Sequence, residues 1–322
     1  MDNFTCSAST VAAADCGNEE SLIVVEGLSK RYKQQSGVTD VTLTLRAGEI
    51  CGFVGANGGG KSTTLRMLAG ILRPTGGSGR VLGCDLISGA AKIRSQVGYM
   101  SQRLSLYAEL SVLQNLRFRA EVYGLARPRD AAEAAIVEFD LRPWADSPAG
   151  SLSGGWARRL QLAATLIHLP RLVLLDEPTA GLDLTARQEV WRRMDSLAAA
   201  GVGVIVCTHD LVEAERCVRV NFFANGRIIS AGSPAEIVRR SAASAFLLSG
   251  VEVRRFAKDV AAIVGVVASQ PRGEGLRVVL RPVGEKRLRR FAALHGVVIA
   301  QDIMRLEDAV LVWSSPMGPY RT

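Results

Sequence analysis

The chain lacks any apolar run near the roughly 18 residues that a membrane-crossing helix needs. Its longest apolar stretches, such as Ala261 to Ala268, are far shorter. The first twenty residues have neither a basic start nor an apolar centre, and they carry Asp2, Asp15, Glu19 and Glu20. They therefore read as a disordered tail over residues 1–20 and not as a signal peptide. The six cysteines show no metal-ligand spacing, and Cys51 and Cys207 sit in apolar, strand-like runs where a thiol serves as a small hydrophobe. That usage predicts a reducing, cytosolic setting. No stretch repeats the main domain within the chain.

What is present suits a main domain plus a smaller one in 322 residues. The formal charge of +8 is uneven: basic and acidic residues nearly cancel from Met1 to Val238, and most of the excess lies in Arg239 to Thr322. From Ser21 to about Ala245, short β-branched runs alternate with amphipathic stretches, predicting an α/β domain over 21–245 with a largely parallel sheet. Strands are expected at Glu49 to Gly55, Leu172 to Leu175 and Val202 to Cys207, and helices at Lys61 to Ile71 and Thr185 to Ala199. Leu22 to Glu26 and Val38 to Leu45 alternate like antiparallel strands at one side. Helices at Val112 to Tyr123 and Asp130 to Phe139 form a helical insert of about 103–155. A small α/β domain is expected over 246–322, with strands at Val251 to Val253, Gly265 to Ala268, Arg277 to Arg281 and Val297 to Asp302.

Three phrases carry the chemistry. In GANGGGKST (Gly55 to Thr63), a strand and a helix bracket a loop of Gly55, Asn57, Gly58, Gly59 and Gly60 whose backbone N–H groups can surround a triphosphate. Lys61 is placed to reach the β- and γ-phosphates, Ser62 to hold Mg²⁺, and Thr63 to donate to the α-phosphate. In RLVLLDEPTAGLD (Arg171 to Asp183), an apolar strand delivers Asp176 and Glu177 at its carboxyl end, where open α/β sheets bind ligands. Neighbouring strand residues face opposite ways, which assigns Asp176 to Mg²⁺ and Glu177 to the attacking water as general base. In SLSGGW (Ser151 to Trp156), Ser153, Gly154 and Gly155 open a second helix able to bind an anion. Two phosphate-gripping helix starts in one chain suggest two chains that sandwich nucleotide between them.

With these motifs in this order, the chain resembles the ATP-binding subunits of ABC transporters over about Leu22 to Gly232. The resemblance implies a phosphate-loop NTPase (RecA-like) core with an antiparallel β subdomain and a helical insert. It also implies ATP and Mg²⁺ as cofactors and a head-to-tail pair with a second cassette, identical or related. By the same likeness Tyr32 stacks on adenine, Gln102 senses Mg²⁺ and the membrane partner, Asp183 contacts the other subunit, and His209 is the switch histidine near the γ-phosphate. Ala56 and Gly59 stand where proline and alanine are usual, and both keep the loop small. Trp156 replaces the usual glutamine and is expected to be tolerated, because the serine and backbone donors remain.

Tyr99 to Gln102, Leu106-Tyr107 and Ser111 to Leu116 resemble bacterial exporter ATPases for drugs and lipophiles. Those work with a separate permease chain and often end in a small domain, here Ser249 to Trp313, with Leu306-Glu307-Asp308 near its end. The implied place is the cytoplasmic face of the inner (plasma) membrane, bound peripherally. A soluble ABC ATPase acting on DNA or ribosomes is the alternative, but the long coiled-coil insert or second cassette of such proteins is missing. The basic segment Glu285 to Leu294 puts Leu288, Phe291 and Ala292 on one face and reads first as a solvated amphipathic helix. Contact with anionic lipid or the permease is the second reading, and no interleaved aromatics favour nucleic acid.

Overall fold

A computed structural model describes residues 21–32 and 35–315. The tail expected over 1–20 lies outside these residues. The chain opens with antiparallel β1 (Ser21–Tyr32) and β2 (Gln35–Arg46), enters a central sheet through β3 (Ile50–Val54) and leaves it by α1 (Lys61–Leu68). β4 (Gly76–Val81) and β5 (Cys84–Asp85) return to the hairpin and complete a four-stranded antiparallel sheet in the order β2-β1-β4-β5. α2 (Ala90–Gln96) and β6 (Val97–Met100) follow, then α3 (Val112–Val122), α4 (Pro128–Glu138) and α5 (Gly154–Leu166). A capping box between Ser111 and Gln114 starts α3, and Pro128 occupies the first turn of α4.

β7 (Leu172–Asp176), α6 (Leu184–Ala199), β8 (Gly203–Thr208), α7 (Leu211–Ala214), β9 (Arg219–Ala224) and β10 (Arg227–Gly232) then finish the central sheet. Its order is β10-β9-β3-β8-β7-β6, parallel throughout except for β10. Its strands are apolar on both faces, as a sheet covered on two sides requires. Ile50, Val54, Val173, Leu175, Val204 and Val206 join one core with the helices from α3 to α6. Cys51, Phe53, Leu172, Leu174, Ile205 and Cys207 join the other, with α1 and the antiparallel sheet. The two expected strand thiols are thus fully buried, and burial pushes both well above the usual thiol range.

After α8 (Pro234–Arg240) comes a third sheet. It is built from β11 (Ser244–Ser249), β12 (Val266–Arg272), β13 (Gly275–Leu280) and β14 (Val298–Asp302), with α9 (Ala257–Ala261), α10 (Pro282–Leu294) and α11 (Leu306–Ser314) around it. The strand expected at Val251 to Val253 is absent. Glu252 there has φ of +54° and a 3₁₀ turn runs over Val253–Phe256. The real strand is β11, between β13 and β14; Ala245, Phe246 and Leu248 are all buried, so it faces apolar neighbours on both sides and shows no alternation. Leu288 and Ala292 of α10 are buried against one face of this sheet. α11 covers the other face and packs into the first core, where Trp313 lies 6.0 Å from Phe222 and the Leu306 amide donates to Glu215.

Candidate functional site

The glycine-rich segment fills the gap between β3 and α1. At Gly55, φ is +143° and an added methyl would lie 2.1 Å from the Phe223 carbonyl oxygen, so only glycine fits. The Gly226 amide donates to the Gly59 carbonyl, tying the loop to the β9–β10 turn. Lys61 is 5% exposed and its Nζ donates to the carbonyls of Gly55 (2.6 Å) and Ala56 (3.0 Å). Its charge therefore sits inside the loop at the start of α1, where the helix terminus also favours an anion. Asn57 is exposed and Thr63 is half-buried.

Ser62 Oγ donates to Asp176 Oδ1 at 3.0 Å, joining α1 to the end of β7. Asp176 is 1% exposed, and its Oδ2 has no hydrogen-bond partner. Burial raises this carboxyl above the ordinary range. A buried, unpaired carboxylate oxygen beside a serine hydroxyl is an all-oxygen donor set that fits a hard divalent cation. Exposed Gln102 is not bonded to this pair; its amide goes to Glu177 instead.

Strand alternation does not orient Glu177, because β7 ends at Asp176 and Glu177 turns into the left-handed region with φ of +50°. Its amide donates to the Cys207 carbonyl of β8. Its side chain, almost buried, accepts from Gln102 Nε2 at 3.2 Å on Oε2 and lies 3.1 Å from His209 Nδ1 on Oε1. A cavity of about 140 Å³ opens beside Glu177, His209 and Gly181. That volume admits water next to a carboxylate held at both oxygens. Residues 102, 177 and 209 thus lie together, with Gln102 and His209 on the two oxygens of Glu177.

The other predicted residues lie around it. Tyr32 is 48% exposed and rests on Gly37, whose carbonyl in turn abuts Gly60 of the loop. Ser153 caps α5 but its hydroxyl makes no capping bond, and both it and Gly154 are exposed. Among the described residues no hydrogen bond joins Ser153, Gly154 or Gly155 to Lys61, Ser62 or Asp176. Asp183 is exposed and caps α6 through the Ala186 amide. Trp156 does not reach into open space. Its ring lies 5.9 Å from that of Trp144, with the Arg159 guanidinium 4.6 Å above it.

One residue that the motifs do not flag is Arg158. Buried to 5% exposure, it donates to the carbonyls of Glu177 (2.6 Å) and Gln102 (2.9 Å). The only sequence signal for it is an arginine on the apolar side of α5, beside buried Ala157 and Leu162.

The ABC transporter family model matches residues 38–180. The probable multidrug ABC transporter ATP-binding protein YbhF of Escherichia coli is 40% identical over 225 residues, 69% of this chain. The match spans only 39% of YbhF. The Nod factor export ATP-binding protein I of Ralstonia nicotianae is 39% identical, over 67% of this chain and 68% of its own. The daunorubicin resistance ATP-binding protein DrrA3 of Streptomyces coeruleorubidus is 33% identical, over 87% of this chain and 88% of its own. A solved structure described as the ATP binding subunit of an ABC transporter superposes with a TM-score of 0.63 at 32% identity, over 68% of this chain and 92% of that one. Loop, carboxylates and second helix start thus agree with sequence likeness and fold, and the chain belongs to the ABC transporter family, among its ATP-binding subunits.

Proposed function

We propose that this chain binds and hydrolyses ATP as one half of a head-to-tail pair of cassettes and so drives a separate membrane permease. The observation that carries this reading is Glu177, held between Gln102 and His209 beside the buried Asp176–Ser62 pair. Lys61 and the loop bind the phosphates. Ser62 and Asp176 hold Mg²⁺, which when bound offsets the charge of the phosphate oxygens. Glu177 accepts the proton of the attacking water from the adjoining cavity, and His209 and Gln102 keep its carboxylate oriented. Tyr32 stacks on the adenine. The free Ser153 hydroxyl and the start of α5 contact the nucleotide of the second cassette, with Asp183 at the contact between subunits.

Export is favoured by relatives named for multidrug transport, Nod factor export and daunorubicin resistance. Among the described residues no helix is long and apolar enough to cross a membrane. A separate permease and peripheral attachment at the cytoplasmic face accord with that. The test is Glu177→Gln, which keeps the side-chain shape and removes the base. Hydrolysis should fall on the order of 10² or more while ATP still binds. Hydrolysis at the wild-type rate would end the general-base assignment.

A further inference from the structure

Arg158 is a buried cation surrounded by neutral acceptors. Nη2 donates to the Glu177 carbonyl at 2.6 Å, and Nη1 to the Gln102 carbonyl (2.9 Å), the Ser101 carbonyl (3.4 Å) and Gln161 Oε1 (2.9 Å). Among the described residues it forms no ion pair. Desolvation of the guanidinium outweighs the pull of the nearby Glu177 and Asp176 carboxylates, so its burial is costly, and an apolar side chain would fill this helical position at less expense. What the guanidinium provides is a fixed geometry for several separate backbone points.

Two of those points belong to the catalytic constellation. Glu177 occupies the left-handed region, which is unfavourable for a residue with a Cβ. Its amide is held by Cys207 and its carbonyl by Arg158, so the strained turn is pinned on both sides. The same guanidinium fixes the backbone of Gln102, whose side chain donates to Glu177 Oε2. One turn further along α5, Gln161 Nε2 donates to the carbonyls of Ser101 and Arg103. The helix is therefore clamped to the 101–103 segment at two levels.

The start of α5 is Ser153 to Gly155, about five residues and hence roughly 7–8 Å along the axis from Arg158. A helix transmits displacement over that distance as a rod. We propose that Arg158 is a positioning residue that makes the start of α5 and the Glu177–Gln102 pair move as one piece. Contact of a second cassette's nucleotide with Ser153 thereby sets the alignment of Glu177 over this chain's own nucleotide. The proposal rests on the functional reading above and extends it to communication between the two sites of a pair.

The test uses the full chain with Arg158→Met, which keeps length and loses the donors, and Arg158→Lys, which keeps the charge but cannot span the carbonyls. In steady state, Arg158→Met should lower kcat about 10- to 100-fold with KM for ATP within about twofold, and Arg158→Lys should recover part of that loss. Hydrogen exchange with and without ATP supplies a readout independent of turnover. ATP should protect the 55–63 loop in all three proteins, but protect 101–103 and 176–178 only where Arg158 is intact. Unchanged kcat, or undiminished protection of 101–103 and 176–178 in Arg158→Met, would overturn the role of Arg158 alone. A wild-type chain whose loop gains no protection from ATP would overturn the functional reading and this proposal with it.

Discussion

Replacing Asp176 by asparagine should stabilise the metal-free protein while removing its activity. The carboxylate is 1% exposed, accepts one hydrogen bond from Ser62 and leaves Oδ2 unpaired. Asparagine keeps the acceptor for Ser62 and exchanges an orphan charged oxygen for an orphan neutral amide. A buried unpaired neutral group costs about 1–3 kcal/mol and a charged one more, so the exchange should yield roughly 1–2 kcal/mol at neutral pH. The pH dependence has a definite sign. Burial raises the folded pKa above 3.8, so the wild type is least penalised below that value and loses stability as pH rises through the raised one. Asp176→Asn does not titrate, and its advantage should grow from acid to neutral pH and then level off. The assay is thermal melting in EDTA between pH 4 and pH 8; at about 2–4 °C per kcal/mol, the variant should melt roughly 2–8 °C higher at pH 8. Adding Mg²⁺ and ATP should reverse the order, because only the wild type gains binding energy from a metal-loaded nucleotide, about 2.7 kcal/mol at a hundredfold excess over Kd. A variant that melts below the wild type in EDTA at pH 8 would refute the claim that burial of the Asp176 charge costs more than Ser62, Lys61 and Arg66 return.

Gly55→Ala forces a methyl to 2.1 Å from the Phe223 carbonyl oxygen at a positive φ. It should lower the melting temperature and abolish ATP binding, whereas full affinity measured calorimetrically would contradict the rigid contact between loop and β9. Burial pushes His168, stacked 3.6 Å from Tyr123, down from 6.5 to about 4. Stability from this group is complete above pH 6.5 and is lost as pH falls toward 4, by about 1–2 kcal/mol between pH 7 and pH 5. His168→Phe keeps the stacked ring and should flatten that part of the urea-denaturation profile; an unchanged slope would assign the acid sensitivity elsewhere.

The phosphate loop and the acidic pair are legible in the sequence because each lies in one contiguous stretch whose residue types are dictated by ligand chemistry. Of the central sheet, β3, β7 and β8 are legible as short apolar runs beside the motifs, whereas β6, β9 and β10 are not called from the sequence. β4 and β5 are not, since Gly76 to Val81 is rich in glycine and is held by pairing with β1 instead of by an apolar face. The left-handed turn at Glu177 also escapes a reading based on strand alternation. Arg158 is the clearest limit: three of its four acceptors are backbone carbonyls, and a carbonyl is the same whichever residue bears it. Trp156 shows the reverse, where a departure inside a diagnostic phrase is absorbed by local packing on Trp144 and Arg159.

α11 has a consequence for any attempt to trim the protein. It shares a core with Ala214, Phe222 and Ile237 of the cassette, and Trp313 at its end rests beside Phe222. The last helix among the described residues thus serves as a lid over the flank of the ATPase domain, even though all four strands of the third sheet separate it from α8 in the chain. A chain cut after Ser241 would be a smaller cassette with an oily side, prone to associate with other chains where the natural protein stays closed.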